Sequence, residues 1–225
     1  MARKTRHSSK NRPEGTKSSQ SKTSKRWLAE HEKDPYVKAA RIAGYRSRAS
    51  YKLLEIQEKY QLLKRGQRVL DLGAAPGGWS QVAANVVGES GSVIAIDLLE
   101  IQPIDGVVCL TGDFTEEETL HKVMDALGGD ETPVDLVISD MAPNLSGMKD
   151  IDQPRAVFLV ELALDLAVSV LKPEGAFLAK CFEGEGIEPL RRAYREHFHK
   201  VSNIKPAASR GRSREIYLLG RGLKF

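Results

Sequence analysis

From residue 69 onward the chain alternates short apolar runs with longer amphipathic stretches. The runs at 69–72, 92–97, 107–110, 134–139, 175–180, 200–205 and 215–220 have strand length, and the stretches 79–87, 115–127, 154–171 and 187–197 carry helical spacing. Such alternation predicts an α/β fold, a doubly wound and largely parallel sheet with helices on both faces. The stretch 154–171 is the best marked helix. Pro154 stands in its first turn, and Glu161, Asp165, Ser169 and Lys172 form a polar stripe opposite an apolar face. Leu171-Lys172-Pro173-Glu174-Gly175 then stops it. Glu161 and Asp165 also interrupt it too early for a membrane span.

Upstream of the sheet, residues 47–60 place Ala49, Leu53, Ile56 and Tyr60 on one helical face, with Lys52 at the edge of that stripe between Tyr51 and Leu53, in a segment flanked by Arg46 and Arg48. Residues 1–25 hold almost no apolar side chain and cannot offset the entropy of ordering a backbone. The expected organisation is therefore a disordered basic tail over 1–25 and one domain over 26–225. That domain divides into a basic helical part (26–68) and a sheet part (69–225).

Charge sharpens this picture. Residues 1–26 hold nine Lys and Arg against one acid, 27–68 ten against five, 69–198 eight against 23 acids, and 199–225 seven against one. Both ends are basic around an acidic middle, which suits a polyanion held by the ends; a merely solubilising surface is the plain alternative. Cys109 and Cys181 give neither a disulfide framework nor a metal spacing, so no metal is expected and a cytoplasmic location is. Cys181, beside Lys180, reads as a small buried residue or as a reactive thiol. No apolar segment follows the basic N-terminus in the manner of a secretory signal.

The chemistry concentrates around residues 69–80, V-L-D-L-G-A-A-P-G-G-W-S, which read as strand, glycine-rich turn and helix start. Glycines allow a ligand close to the backbone, and a helix start offers unpaired N–H groups, which suits an adenosyl or phosphate ligand. The G-x-G-x-x-G dinucleotide fingerprint is not met, because Ala75 stands two residues after Gly73; a purely structural turn stays open. Asp97 ends the next strand about twenty residues on, where an acid can accept both ribose hydroxyls of a nucleoside. Ligands in open α/β sheets sit at the carboxyl ends of the strands, and those ends carry Asp71, Asp97, Asp113, Asp140 and Lys180. Each acid singly also reads as a cap or turn residue, Asp113 before Phe114-Thr115 above all. A lysine closing the apolar run 176–179 needs a partner or a purpose.

Three motifs, D-L-G-A-A-P-G-G-W-S at 71–80, S-D-M-A-P-N at 139–144 and S-R-A-S-Y-K-L at 47–53, resemble the bacterial FtsJ/RrmJ family. These are S-adenosylmethionine-dependent ribosomal RNA ribose 2′-O-methyltransferases. K-x-F-x-G-E-G at 180–186 and S-R-x-x-S-R-E at 209–215 extend the likeness from about residue 26 to the C-terminus. The resemblance implies a Rossmann-like, seven-stranded methyltransferase sheet, mostly parallel with one antiparallel strand. It implies a catalytic tetrad at Lys52, Asp140, Lys180 and Glu215, and cofactor contacts from Gly77, Trp79, Asp97, Asp113 and Asp140. It further implies a monomer acting on a uridine of 23S rRNA in the assembled 50S subunit. An ordinary lysine is almost wholly protonated at neutral pH, so Lys180 either is altered by its surroundings or positions the hydroxyl. Relatives acting on tRNA or mRNA caps, a non-catalytic ribosome-assembly factor, and a nicotinamide dehydrogenase are the competing readings.

Overall fold

The computed structural model describes residues 33–129, 133–143 and 146–224. The expected tail, the start of order at residue 26 and position 144 of the motif at 139–144 lie outside the described residues. Among the described residues two helices, α1 (Pro35–Ile42) and α2 (Ser50–Tyr60), precede the sheet. There follow β1 (Arg68–Leu72), α3 (Gly78–Val87), β2 (Ser92–Asp97), β3 (Val107–Thr111), α4 (Glu117–Leu127), β4 (Val134–Ser139), α5 (Lys149–Val170), β5 (Leu171–Phe182), α6 (Ile187–His197), β6 (Phe198–Ile204) and β7 (Glu215–Leu223).

The seven strands form one sheet in the order β3-β2-β1-β4-β5-β7-β6. Neighbours from β3 to β5 pair in parallel, while β7 runs antiparallel to both β5 and β6. The fold is thus the expected seven-stranded α/β sheet with one antiparallel strand. Strand order reverses between β1 and β4, so their carboxyl ends open a crevice there. Because β7 is antiparallel, its first residue, Glu215, comes to the same rim as Phe182 at the end of β5.

The period-two alternation of the strands divides the core. Leu70, Leu72, Val137, Phe177, Ala179 and Leu218 face α4, α5 and α6, whose Val123, Val160, Leu164 and Tyr194 cover them. Val69, Ile138, Leu178, Tyr217 and Leu219 face the other way, beneath Leu53 and Ile56 of α2 and Trp79, Val82 and Ala83 of α3. Asp71, Asp140, Lys180 and Glu215 continue this second face by the same alternation, which brings them under α2 and α3.

Several boundaries differ from expectation for local reasons. The helix expected at 154 begins at Lys149, so Pro154 is inside it rather than in its first turn. The extra turn is set by Asp152, whose carboxylate accepts Ser146 N and Oγ (both 2.8 Å) and Gly147 N (2.9 Å). That helix gives way at once to β5, where the register slips between Val134 opposite Leu171 and Leu136 opposite Ala176; residues 172–175 bulge from a strand expected to start at 175. The helix expected over 47–60 starts at Ser50, leaving Ala49 as the residue before it. The helix expected at 115 starts at Glu117, because Asp113 caps a turn with Thr115 (N at 2.9 Å, Oγ1 at 2.7 Å). No helix among the described residues is long and apolar enough to cross a membrane.

Candidate active site

The turn after β1 is shaped by what stands behind it. Gly73 adopts φ +71°, and a Cβ there would lie 2.0 Å from Met141 Cγ. Gly77 adopts φ +102°, and its Cβ would meet Ile104 Cδ1 at 2.6 Å. Gly77 is also the residue before α3, so the first turn of that helix has no side-chain cap. The turn is tied to β2 through Asp97, whose Oδ2 accepts Ala75 N (2.9 Å) and whose Oδ1 accepts Leu99 N (2.8 Å). Each oxygen keeps one lone pair, so ribose binding by Asp97 is compatible with its structural role.

Asp71 lies directly under this turn and is fully buried. Ser80 Oγ donates to its Oδ2 (2.6 Å), while Oδ1 has no hydrogen-bond partner. Burial pushes the carboxyl up to about 7; Asp140 and Asp97 add repulsion, and Ser80 pulls the other way. A cleft bounded by Ser47, Asp71, Gly73, Pro76, Trp79 and Asp140 opens above it. Trp79 lines the cleft, but its indole N–H is already spent on Ala49 O (2.8 Å) and its ring lies against Tyr217 (5.6 Å).

Beside the cleft the four tetrad residues meet. Lys180 Nζ is 3.0 Å from Asp140 Oδ1 and also donates to the Asp140 main-chain carbonyl. Lys52 Nζ is 2.9 Å from Glu215 Oε1 and 3.8 Å from Asp140 Oδ1. All four side chains are largely buried, Lys52 and Lys180 to 8% and 9% exposure. Burial would raise the Asp140 carboxyl, but Lys180, Lys52 and the Tyr217 hydroxyl together hold it below the usual carboxylate range.

Sequence reasoning missed two supports of this cluster. Tyr217 donates its hydroxyl to Asp140 Oδ1 (2.6 Å) and lies 5.7 Å under Lys52 Nζ. Ser209 Oγ donates to Glu215 Oε1 (2.7 Å). The signal for Tyr217 was present, since it follows Glu215 by two residues and a strand turns such a pair to one face. Ser209 reaches Glu215 through the fold of a loop, which no periodicity reveals. Cys181 points to the opposite face, is buried, and has its thiol pushed up to about 12 by that burial, so it is a packing residue. A larger recess of about 320 Å³ lies between α2 and β6, lined by Glu55, Lys59, Tyr60 and Lys205 and away from the glycine turn.

The chain is similar to known proteins over most of its length. The model of FtsJ-like methyltransferases matches residues 45–223. The "Ribosomal RNA large subunit methyltransferase E" of Pseudomonas paraeruginosa is 59% identical over 204 residues, covering 91% of this chain and 98% of that protein. Its namesake from Alkalilimnicola ehrlichii is 58% identical over 199 residues, covering 88% and 94%. Among solved structures, a Plasmodium falciparum chain assigned as a ribosomal RNA methyltransferase superposes with a TM-score of 0.71 at 28% identity, covering 80% of this chain and 98% of that one. Aeropyrum pernix fibrillarin with bound S-adenosyl-L-methionine shares the fold at a TM-score of 0.51 and 15% identity, covering 78% and 75%.

Proposed function

This chain belongs to the FtsJ-like methyltransferase family, and from that premise we propose that it methylates large-subunit ribosomal RNA on the ribose 2′-hydroxyl of a uridine in 23S rRNA. The assembled 50S subunit is its substrate and S-adenosylmethionine its methyl donor. The observation that carries this reading is the meeting of Lys52, Asp140, Lys180 and Glu215 in one buried cluster beside the glycine turn.

The residues present fit the donor. When bound, it supplies an electrophilic methyl group on a positively charged sulfur. Close-packed Gly73 and Gly77 give backbone access, Asp97 and Asp113 would hold the ribose and adenine, and the uncapped start of α3 faces the turn. Asp140, held ionised beside the cleft, puts negative charge where a cation would lie, and Asp71, with an unpartnered oxygen in a buried site, would ionise more readily next to one.

Methyl transfer to a hydroxyl needs oxygen, carbon and sulfur in line and a route for the departing proton. Lys52 and Glu215, paired at 2.9 Å, form one wall of the cluster and are placed to hold ribose and phosphate. Asp140 engages Lys180 through both its carboxylate and its carbonyl. Those two bonds fix the Lys180 nitrogen and leave it one further position for the 2′-hydroxyl, to take its proton or to hold its oxygen.

The test is transfer of a labelled methyl from S-adenosylmethionine to isolated large subunits, free 23S rRNA, tRNA and capped mRNA, followed by mapping of ribose methylation. Methylation of one uridine in the large subunit is expected. Labelling of tRNA or cap alone, or none with intact cofactor binding, overturns the assignment. Lys180→Arg is expected to bind cofactor normally and be nearly inactive, because a guanidinium keeps its proton; substantial activity would make Lys180 a positioning group.

A further inference from the structure

Arg46 immediately precedes the motif at 47–53, and its guanidinium is committed within the protein. Nη1 donates to Pro76 O (3.2 Å) and Gln102 O (2.6 Å), and Nη2 to Pro103 O (2.6 Å). Pro76 belongs to the glycine turn, and Gln102 and Pro103 to the connection that follows Asp97. The main chain around Arg46 is held by the same neighbourhood: Gln81 of α3 accepts Arg46 N (2.8 Å) and donates to Gly44 O (3.2 Å). Further along, Trp79 donates to Ala49 O (2.8 Å) and Ser50 Oγ to Gly78 O (3.0 Å). A Cβ on Gly78 would lie 2.5 Å from Ser47 Oγ, so the contact is close.

The other end of this segment grips the tetrad side. Arg48 Nη2 donates to Ala208 O (2.5 Å), and Glu55 accepts Ala208 N (3.0 and 3.1 Å). Ala208 precedes Ser209, which holds Glu215 against Lys52. Residues 44–55 therefore join the turn that takes the cofactor to the residues that take the acceptor, with Lys52 in their middle.

We propose that Arg46 is a positioning residue that couples the two substrates, so that cofactor on the glycine turn and RNA on the basic helical part each strengthen binding of the other. This rests on the reading that the chain binds S-adenosylmethionine and RNA. Ordering the turn and the 97–107 connection fixes three carbonyls, and their shared guanidinium transmits that order to Lys52; RNA on residues 44–55 acts in reverse. Arginine suits the task because its planar fork holds donors on separate nitrogens in a fixed geometry and so spans carbonyls of two segments, where an ammonium is a single flexible point of donation.

The probe is labelled S-adenosylhomocysteine, which cannot react, in equilibrium dialysis with and without saturating large ribosomal subunits. Wild-type protein is expected to bind it about tenfold tighter when the subunit is bound. Arg46→Ala should cut that ratio to below twofold, and Arg46→Lys should keep an intermediate ratio. A merely structural arginine would lower melting temperature or both affinities and leave the ratio unchanged, and that result overturns the proposal. Hydrogen exchange on wild-type protein gives a check independent of the variants: amides of residues 44–50 should slow when S-adenosylhomocysteine binds, and unchanged exchange also refutes the coupling. A wild-type protein that methylates RNA with a ratio of one defeats the coupling alone, whereas one that binds neither ligand defeats the proposed function with it.

Discussion

A single carboxylate makes the crevice under the glycine turn costly to maintain. An unfolded aspartate ionises near 3.9, whereas buried Asp71 ionises at about 7. Between those values the folded chain carries one proton more than the unfolded chain, so stability falls as pH rises, by about 1.4 kcal/mol per unit, and levels off above pH 7. Asp71→Asn removes this penalty. Urea unfolding from pH 4 to 8 is expected to show the variant gaining on the wild type across that window, by roughly 4 kcal/mol in all, while its cofactor affinity drops. A gap independent of pH would mean that Asp71 is ionised in the folded protein. At this scale sequence was informative about identity and silent about state. Lys52, Asp140, Lys180 and Glu215 were recognisable from their motifs, and Asp71 from its place at a strand end. That Asp71 keeps one oxygen without a partner, or that Asp97 is already holding Ala75 and Leu99, depends on how a turn closes over it.

Elements were legible where their hydrophobic period is pure and blurred where a side chain or bulge resets the backbone. The parallel strands and the helices over them follow directly from alternation. The start of α5 did not, because Asp152 adds a turn ahead of Pro154, and β5 begins early because a four-residue bulge is accommodated within it. Packing between α6, β6 and β7 offers a sharp test of the far end of the sheet. Phe198, buried at the start of β6, lies against Tyr194 (5.8 Å) and fills the space over Gly220, where a Cβ would come within 2.3 Å of the ring. Gly220→Ala should lower unfolding free energy by about 1–3 kcal/mol through overpacking, measured by denaturant titration. Gly220 pairs with Phe177, several residues from the rim, so the rate per folded molecule should be unchanged.

At the scale of the whole molecule the charges are segregated along the chain, with acids concentrated in its middle and basic residues at both ends. Deleting residues 1–25 should weaken RNA binding and flatten its dependence on salt. Each phosphate neutralised adds a slope of about −0.9 on duplex and about −0.7 on single strands. Cofactor affinity should not change, and an unaltered salt slope would assign those residues to solubility alone. The placement of β7 has a further consequence, best put in genetic terms. This strand hydrogen-bonds to β5 on one side and β6 on the other and carries both Glu215 and Tyr217 to the rim. A nonsense allele that stops translation before Glu215 therefore removes two members of the acceptor cluster and bares two facing strand edges in one step. Such edges recruit other chains. Alleles of this kind should behave as simple nulls cleared by proteolysis, with no partially active or substrate-trapping product to compete with an intact copy.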